Sequence, residues 1–170
     1  MRRKLSWKLR VERHPDVVRD GPRGCHGRRA AGPHQAGDGF IDAFNAGDWQ
    51  RFAEDLAPDL VYEETGTQRR TDGVDAYVQL SQGWKHAFPD ARGAIRNVVA
   101  SGNTVVQEIT WEGTQTGALE GLGGSLPPSG KRVNVLASLW ISFNGDQVRE
   151  IHHHLDVLGL LGQLEALPGP

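Results

Sequence analysis

The sequence predicts an α+β domain in which N-terminal helices cover a cone-shaped, curved and mostly antiparallel sheet. Two observations support this class. Apolar residues recur at helical spacing before residue 90, and long β-rich segments separated by turns fill the chain after residue 94. A bent sheet closed by helices encloses an apolar pocket, which is a usual place for a small ligand.

Two short helices open the predicted domain. Apolar residues recur at helical spacing from Phe40 to Leu56, with one interruption. Gly47 suits the left-handed end of the first helix, and Asp48 suits the N-cap of the second. We expect the second helix to end before Pro58.

A short strand and a third helix follow. The segment 60–64 is typical of a strand, and the small and polar residues 65–67 form a turn after it. Asp72 is expected to cap a helix that continues through Trp84 and ends before the segment 88–90.

Four β-rich segments make up most of the remaining chain. They are expected over 94–100, 104–116, 133–143 and 148–156, with turns at 101–103 and 144–146. The glycine- and proline-rich segment 117–130 separates two long strands, and loops of that length are often lids or binding loops. A final short helix is expected over 158–167.

Charge divides the chain into two parts. Residues 1–36 carry a net charge of +7, and residues 37–170 carry −9. We expect 1–36 to be a basic and poorly ordered arm, because such a composition buries little apolar surface. Binding of nucleic acid or an anionic surface by the arm is the alternative. Residues 37–170 are long enough to form one domain with a single core.

Several classes of protein are disfavoured by the sequence. No apolar run approaches the roughly 20 residues of a membrane helix, and the basic arm lacks the apolar segment of a secretory signal. There is no Walker loop, zinc-type cysteine pattern or glycine-rich dinucleotide turn. The one cysteine, Cys25, cannot form an internal disulfide, which favours a reducing, cytoplasmic compartment.

The densest cluster of titratable residues lies at the end of the last predicted strand. It consists of His152, His153, His154 and Asp156. Because side chains alternate across a strand, His153 shares a face with the apolar residues two positions away on either side. The apolar neighbours favour this face as the pocket lining. His153 would then be a neutral imidazole in an apolar cavity, ready to accept a proton.

Three other arrangements of this cluster stay open. The opposite parity would bring His152, His154 and Asp156 together as a carboxylate-oriented base or as three ligands of a metal ion. The end of the sheet could also turn Asp156 inward. Alternatively, the histidines are hydrogen-bonded structural groups under the helices or at a dimer face.

Neighbouring strands supply further candidates for the pocket. Parity places Gln107 and Trp111 on the more apolar face of their strand. Ser138 and Trp140 form a matching row on the next strand, although both faces of that strand are apolar. The other aromatic candidates are Tyr62, Trp84 and Phe88. A solvated face is expected for the glutamates Glu63, Glu64, Glu108 and Glu112.

Four stretches resemble known proteins. The segment 40–48, Phe-Ile-Asp-Ala-Phe-Asn-Ala-Gly-Asp, resembles the first-helix signature of the nuclear-transport-factor-two-like, ketosteroid-isomerase-like superfamily. The segments 88–90, 113–117 and 153–164 resemble the SnoaL-like polyketide cyclases and the wider ester cyclase group. The resemblance covers about residues 37–166.

This resemblance implies a reaction and a site. Such cyclases close a ring of a polyketide ester by intramolecular aldol condensation, without a metal or cofactor, and use a carboxylate on the last strand as acid and base. Alignment places His153 at that position and Asp156 at a second, frequently acidic one. We therefore expect His153 and Asp156 to be catalytic, with oxyanion donors from Gln107, Ser138 or Trp140.

The expected partner is a small apolar or aromatic, polyketide-like molecule. Contacts to it are expected from Tyr62, Trp84, Phe88, Gln107, Trp111, Ser138, Trp140 and His154. The resemblance also implies a homodimer, and neither membrane nor nucleic acid is an expected partner. The alternatives are a non-catalytic binding or structural dimer module, and an epoxide-hydrolase-type enzyme on the same fold.

Overall fold

A computed structural model describes residues 33–121 and 124–167, which form four helices and eight strands. The helices are α1 (Pro33–Ala46), α2 (Trp49–Glu54), α3 (Val74–Ala87) and α4 (Val157–Gln163). The strands are β1 (Leu56–Glu64), β2 (Arg69–Asp72), β3 (Arg92–Ser101), β4 (Thr104–Thr114), β5 (Leu119–Glu120), β6 (Ser125–Leu126), β7 (Arg132–Asn144) and β8 (Gln147–Leu155). The predicted α+β class is confirmed.

The predicted basic arm lies almost wholly outside the described residues. Residues 1–32 are not described, and α1 begins at Pro33, ahead of the boundary expected at residue 37. None of the helices within the described ranges is long and apolar enough to cross a membrane.

One curved, mixed sheet organises the domain. Its six strands lie in the order β2-β1-β8-β7-β4-β3, and every neighbouring pair is antiparallel except β1 and β8. Register shifts interrupt the β1–β8, β3–β4 and β7–β8 ladders. Such irregularities bend strands and increase their twist, so they curve the sheet around the helices.

A column of stacked aromatic rings holds the helices against the sheet. Phe40 of α1 stacks on Phe52 of α2 with ring centres 4.3 Å apart, and Phe52 stacks on Tyr77 of α3 at 5.5 Å. Tyr77 then lies 4.6 Å from Tyr62 of β1. Each such pair contributes about 0.5–1.5 kcal/mol beyond its burial. The column therefore links three helices to the strand that carries Tyr62.

The first helical junction forms as predicted. Gly47 has a φ of 69°, in the left-handed region that glycine adopts at low cost. Asp48 caps α2, and its carboxylate accepts a hydrogen bond from the backbone N–H of Arg51 at 3.1 Å.

Two predicted element boundaries are wrong. The strand expected to start at residue 60 already begins at Leu56, so Pro58 lies within it. Pro58 falls where the β1–β8 ladder shifts register, so its missing N–H removes no ladder bond there. Asp72 belongs to β2 rather than capping α3, and Gly73, with a φ of 89°, occupies the N-cap position.

The long loop between β4 and β7 is anchored by a buried glutamine. The amide nitrogen of Gln115 donates to the carbonyl oxygens of Leu126 and Pro127, at 3.4 and 3.2 Å. Its amide oxygen accepts from the hydroxyl of Ser129 at 2.7 Å. The loop also contains the short β5–β6 hairpin. These contacts give the predicted loop a defined base.

The motif 113–117 has a structural explanation. The N–H groups of Thr116 and Gly117 both donate to the carbonyl oxygen of Ala87, at the end of α3. A Cβ on Gly117 would lie 2.3 Å from the carbonyl oxygen of His86, closer than packed atoms approach. Glycine at this position therefore lets the loop join the helix end.

Replacement of Gly117 by alanine is expected to destabilise the fold. Gly117→Ala forces the loop away from α3 and should lower the free energy of unfolding by about 2 kcal/mol. The matched control is Gly83→Ala, a helical glycine with open space around its Cβ position, which should raise stability by about 0.5–1 kcal/mol. Urea titration measures both changes, and equal effects of the two substitutions would contradict this account.

Candidate active site

An apolar cavity lies between α1, α2, α3 and the inner face of the sheet. Its volume is about 70 Å³. Aromatic side chains dominate the lining, namely Phe40, Phe44, Phe52, Tyr62, Tyr77, Trp84, Phe88 and Trp111. Four of the residues from which substrate contacts are expected are in this lining, namely Tyr62, Trp84, Phe88 and Trp111. The last strand contributes His153 and Leu155.

Strand parity divides the histidine cluster as expected from the apolar neighbours. His153 is buried on the inner face, and its side chain lines the cavity. His152 lies on the outer face, where its ring nitrogens are 3.0 Å from Glu150 and 3.4 Å from Glu63. His154 also points away from the cavity and is exposed, so it is not in the lining where the sequence placed it.

Asp156 does not reach the cavity. It is the N-cap of α4, and its carboxylate accepts a hydrogen bond from the backbone N–H of Gly159 at 2.8 Å. A Cβ at position 159 would lie 2.3 Å from that carboxylate, so glycine permits this close cap. The carboxylate is engaged in helix capping, which leaves the predicted catalytic role of Asp156 without support. No cluster of three metal-ligating side chains occurs among residues 33–121 and 124–167.

Ser138 and Trp140 lie on the opposite face of β7 from the cavity. Trp140 is 48% exposed, and Val133, Val135 and Leu139 line the cavity in place of the predicted row. Both faces of β7 are apolar, so composition could not decide the parity. The pairing of Leu139 with His153 across the β7–β8 ladder fixes it. The predicted inward position of Ser138 and Trp140 is wrong for this reason.

Gln107 is buried on the inner face of β4 but outside the cavity lining. Neither its amide nitrogen nor its amide oxygen has a hydrogen-bond partner among the described residues. The sequence predicts that Gln107 shares a face with Trp111, and the burial of Gln107 on the inner face agrees with this. Gln107 is not in the cavity lining, so a direct substrate contact has no support.

Glu64 is a buried residue of the candidate site that the sequence did not predict. It is only 1% exposed, although a solvated face was expected for it. Its carboxylate accepts hydrogen bonds from the hydroxyl of Tyr62 at 2.9 Å and of Thr67 at 2.5 Å. His153 Nδ1 lies 3.3 Å from the same carboxylate. The signal was present in the alternation of β1, because Glu64 shares the face of Leu60 and Tyr62.

The surroundings of Glu64 favour its ionised form. Burial by itself raises the pKa of this carboxyl, but the hydrogen bond and charge of His153 and the hydroxyls of Thr67 and Tyr62 outweigh burial. The net effect lowers the pKa of Glu64 from 4.5 to about 2. Burial, and then the charge of Glu64, raise the pKa of Tyr62 well above its usual value. At neutral pH the site therefore holds a carboxylate and a protonated phenol.

These hydrogen bonds determine where the proton of a neutral His153 lies. Tyr62 has one hydroxyl hydrogen, and it donates this hydrogen to ionised Glu64. The phenol oxygen lies 2.8 Å from His153 Nδ1, so it must accept a hydrogen bond from Nδ1–H. The proton of the neutral ring is then on Nδ1, and Nε2 carries the free lone pair. Nε2 is buried without a partner among the described residues.

Acid is expected to remove the stabilisation that the Glu64 hydrogen bonds provide. The carboxyl is ionised in both folded and unfolded chains above pH 4.5, so its full contribution is present there. As the pH falls from 4.5 towards 2, the unfolded chain takes up the proton first and the contribution is lost. Glu64→Gln should therefore be destabilising at pH 6, and its difference from wild type should shrink by about 2 kcal/mol at pH 3.

Urea unfolding at the two pH values measures this difference. The matched control is Glu108→Gln, which changes an exposed glutamate on the outer face of β4, and the change between pH 6 and pH 3 should be larger for Glu64→Gln than for this control. A constant difference for Glu64→Gln across the same range would show that this carboxylate is not held ionised by its neighbours.

Comparison with known proteins agrees with this fold. Solved structures with the same fold include TsrD from Streptomyces laurentii, with a TM-score of 0.69, 23% identity and coverage of 84% of this chain and 99% of that chain. IdmH from Streptomyces antibioticus has a TM-score of 0.67 and 24% identity, covering 79% of this chain and 99% of that one. AclR from Streptomyces galilaeus has a TM-score of 0.69 and 24% identity, covering 80% and 97%. At such identities the likeness shows the fold alone.

The family of this chain follows from its sequence. No curated protein matches the chain. The protein-family model for SnoaL-like polyketide cyclases matches residues 34–164, which include every cavity-lining residue. The chain therefore belongs to the family of SnoaL-like polyketide cyclases.

Proposed function

We propose that this protein is a cofactor-independent cyclase or isomerase that acts on an apolar, polyketide-like carbonyl compound by general acid–base chemistry. One observation carries the proposal. His153 lines an apolar cavity and its buried Nε2 has no partner among the described residues, while its Nδ1 is held by Tyr62 and Glu64. Family membership supports ring closure as the class of reaction. IdmH, which shares the fold, is described as a candidate polyketide cyclase.

The proposed reaction begins with proton abstraction. His153 Nε2 takes a proton from a carbon next to the substrate carbonyl, and the electron pair of the broken C–H bond moves onto the carbonyl oxygen. The resulting enolate carbon forms a C–C bond with a second carbonyl of the same molecule. The alkoxide formed at that second carbonyl then takes the proton back from Nε2. The base is restored, and no oxidant or reductant is consumed.

Glu64 gives His153 the electrostatic support that this cycle needs. When Nε2 accepts a proton the ring becomes cationic, and a buried cation is costly unless an opposite charge is close. The carboxylate 3.3 Å from Nδ1 supplies that charge, and Tyr62 fixes the orientation of the ring. We propose that Glu64, from β1, replaces the carboxylate that the resemblance led us to expect on the last strand.

The shape of the site bears on the size of the substrate. A cavity of about 70 Å³ can enclose only one end of a molecule with two or more rings. A second, outer groove of about 490 Å³ lies between α3 and the β5–β6 hairpin, and Leu80 and Trp84 line both spaces. We propose that the reacting carbonyl group enters the cavity and that the rest of the substrate lies in the outer groove.

Proton abstraction can be tested without knowing the natural substrate. The Kemp elimination of 5-nitrobenzisoxazole requires a base to remove a carbon-bound proton from a flat aromatic molecule, and its phenolate product absorbs visible light. Wild-type protein is expected to accelerate this reaction, and His153→Ala to lose about 100-fold or more of the acceleration.

His154 provides the matched control for this test. His154→Ala changes an exposed histidine of the same strand and should retain the wild-type rate. Circular dichroism checks that His153→Ala keeps its fold. Equal rates for wild type and His153→Ala, or equal losses for both variants, would refute general-base catalysis by His153 and favour a non-catalytic binding module.

We also propose a cytoplasmic homodimer that pairs through the outer face of the sheet. The strand register places Val99, Val106 and Trp140 side by side on three neighbouring strands, and Val99 and Trp140 are among the exposed large apolar residues. Trp140→Lys should convert a dimer into a monomer in sedimentation velocity. Gln147→Lys, at the exposed start of β8, is the control that should stay dimeric. A monomeric wild-type protein would refute the dimer.

A further inference from the structure

The proposed reaction requires a second group besides the base. Enolate formation places negative charge on the carbonyl oxygen, and a fixed N–H or O–H donor at that oxygen lowers the barrier. Ser138 and Trp140 lie on the wrong face of β7, and Gln107 lies outside the cavity. We infer that the indole N–H of Trp111 is the donor that binds the developing oxyanion, an assignment that rests on the proposed function.

The indole of Trp111 is held in one position. A Cβ at Gly93 would lie 2.7 Å from Cζ3 of Trp111, so the benzene edge of the indole sits directly over the backbone of β3. The ring of Phe44 packs against the indole edge-on, with ring centres 5.1 Å apart. These contacts hold the benzene edge, so the pyrrole edge that carries Nε1 lies away from Gly93. A donor fixed in this way needs no reorganisation during the reaction.

The indole N–H is buried without a partner among the described residues. Buried side-chain polar atoms without a partner occur in four of the described residues: Thr71, Gln107, Trp111 and His153. Only Trp111 and His153 line the cavity. Indole nitrogen only donates, and Nε2 of neutral His153 accepts. An unmade hydrogen bond at a buried group is unfavourable, so this pair predicts a ligand that offers an acceptor to Trp111.

The separation of the two rings suits one enolisable carbonyl group. The ring centres of Trp111 and His153 lie 6.3 Å apart, and the ring planes are inclined by 69°. In such a group the acidic carbon and the oxygen are only two bonds apart. Two neighbouring rings can therefore act on one such group, with the base at the carbon and the donor at the oxygen.

Binding of a phenol tests this assignment independently of turnover. 2-Naphthol is flat and aromatic and presents an oxygen where an enolate would, whereas naphthalene has the same rings without the oxygen. Trp111→Phe keeps an aromatic ring but removes the N–H. We expect it to weaken 2-naphthol binding about tenfold and to leave naphthalene binding unchanged, as measured by calorimetric titration.

The control and a second measurement keep the test decisive. Trp140→Phe removes an indole from the outer face of the sheet and should leave the preference for 2-naphthol unchanged. On the wild-type protein, the indole N–H signal of Trp111 in nitrogen-resolved NMR spectra should shift with 2-naphthol and not with naphthalene. This second readout does not depend on whether Trp111→Phe folds.

The contrary outcomes separate this inference from the proposed function. If Trp111→Phe keeps the preference for 2-naphthol and the indole signal does not shift, Trp111 is not the donor. The same conclusion follows if Tyr77→Phe, which removes the hydroxyl of another lining residue, abolishes the preference instead. Both results leave base catalysis by His153 intact. In contrast, a His153→Ala variant that keeps the wild-type rate in the Kemp assay overturns the proposed function itself.

Discussion

The hydrogen-bonded contact between Glu64, Tyr62 and His153 is the constraint on which the rest of the site depends. A carboxylate that is 1% exposed is very unfavourable unless its oxygens are hydrogen-bonded and an opposite charge is available. Tyr62, Thr67 and His153 supply the hydrogen-bonding partners, and His153 supplies the opposite charge whenever its ring is protonated. The same contacts orient the imidazole of His153, whose Nε2 is buried without a partner among the described residues. The stability of this region and its chemistry therefore have one physical origin, and loss of any member leaves a buried polar group unpaired.

The mixed sheet is what brings these residues together. β1 and β8 are the parallel pair, and in their register Glu64 lies beside His153 while Tyr62 lies beside Ile151. The N–H of Thr65 also donates to the carbonyl oxygen of His153, which fixes the end of β1 against β8. Residues 91 positions apart in the chain, Tyr62 and His153, meet because of this pairing. Helices on the inner face then exclude water from them.

Local patterns predicted the parts of this arrangement that depend on local physics. The helical junction at Gly47 and the inward position of His153 follow from turn chemistry and from alternation between apolar neighbours. The orientation of β7 could not be predicted, because both of its faces are apolar and only its pairing with β8 decides between them. Glu64 was missed for a different reason. Composition assigns a glutamate to the surface, whereas its position two residues after Tyr62 on an alternating strand places it inside.

The buried carboxylate of this site is not on the last strand, where the resemblance implies one. Directly after the last strand, Asp156 caps α4, so an acidic residue expected to be catalytic has a structural use here. The buried carboxylate comes instead from β1, and an imidazole stands between it and the cavity. A carboxylate that acts directly as a base must be poised near its own pKa, whereas one that supports an imidazole should stay ionised throughout. The low pKa of Glu64 suits the second role and agrees with the proposal that His153 is the base.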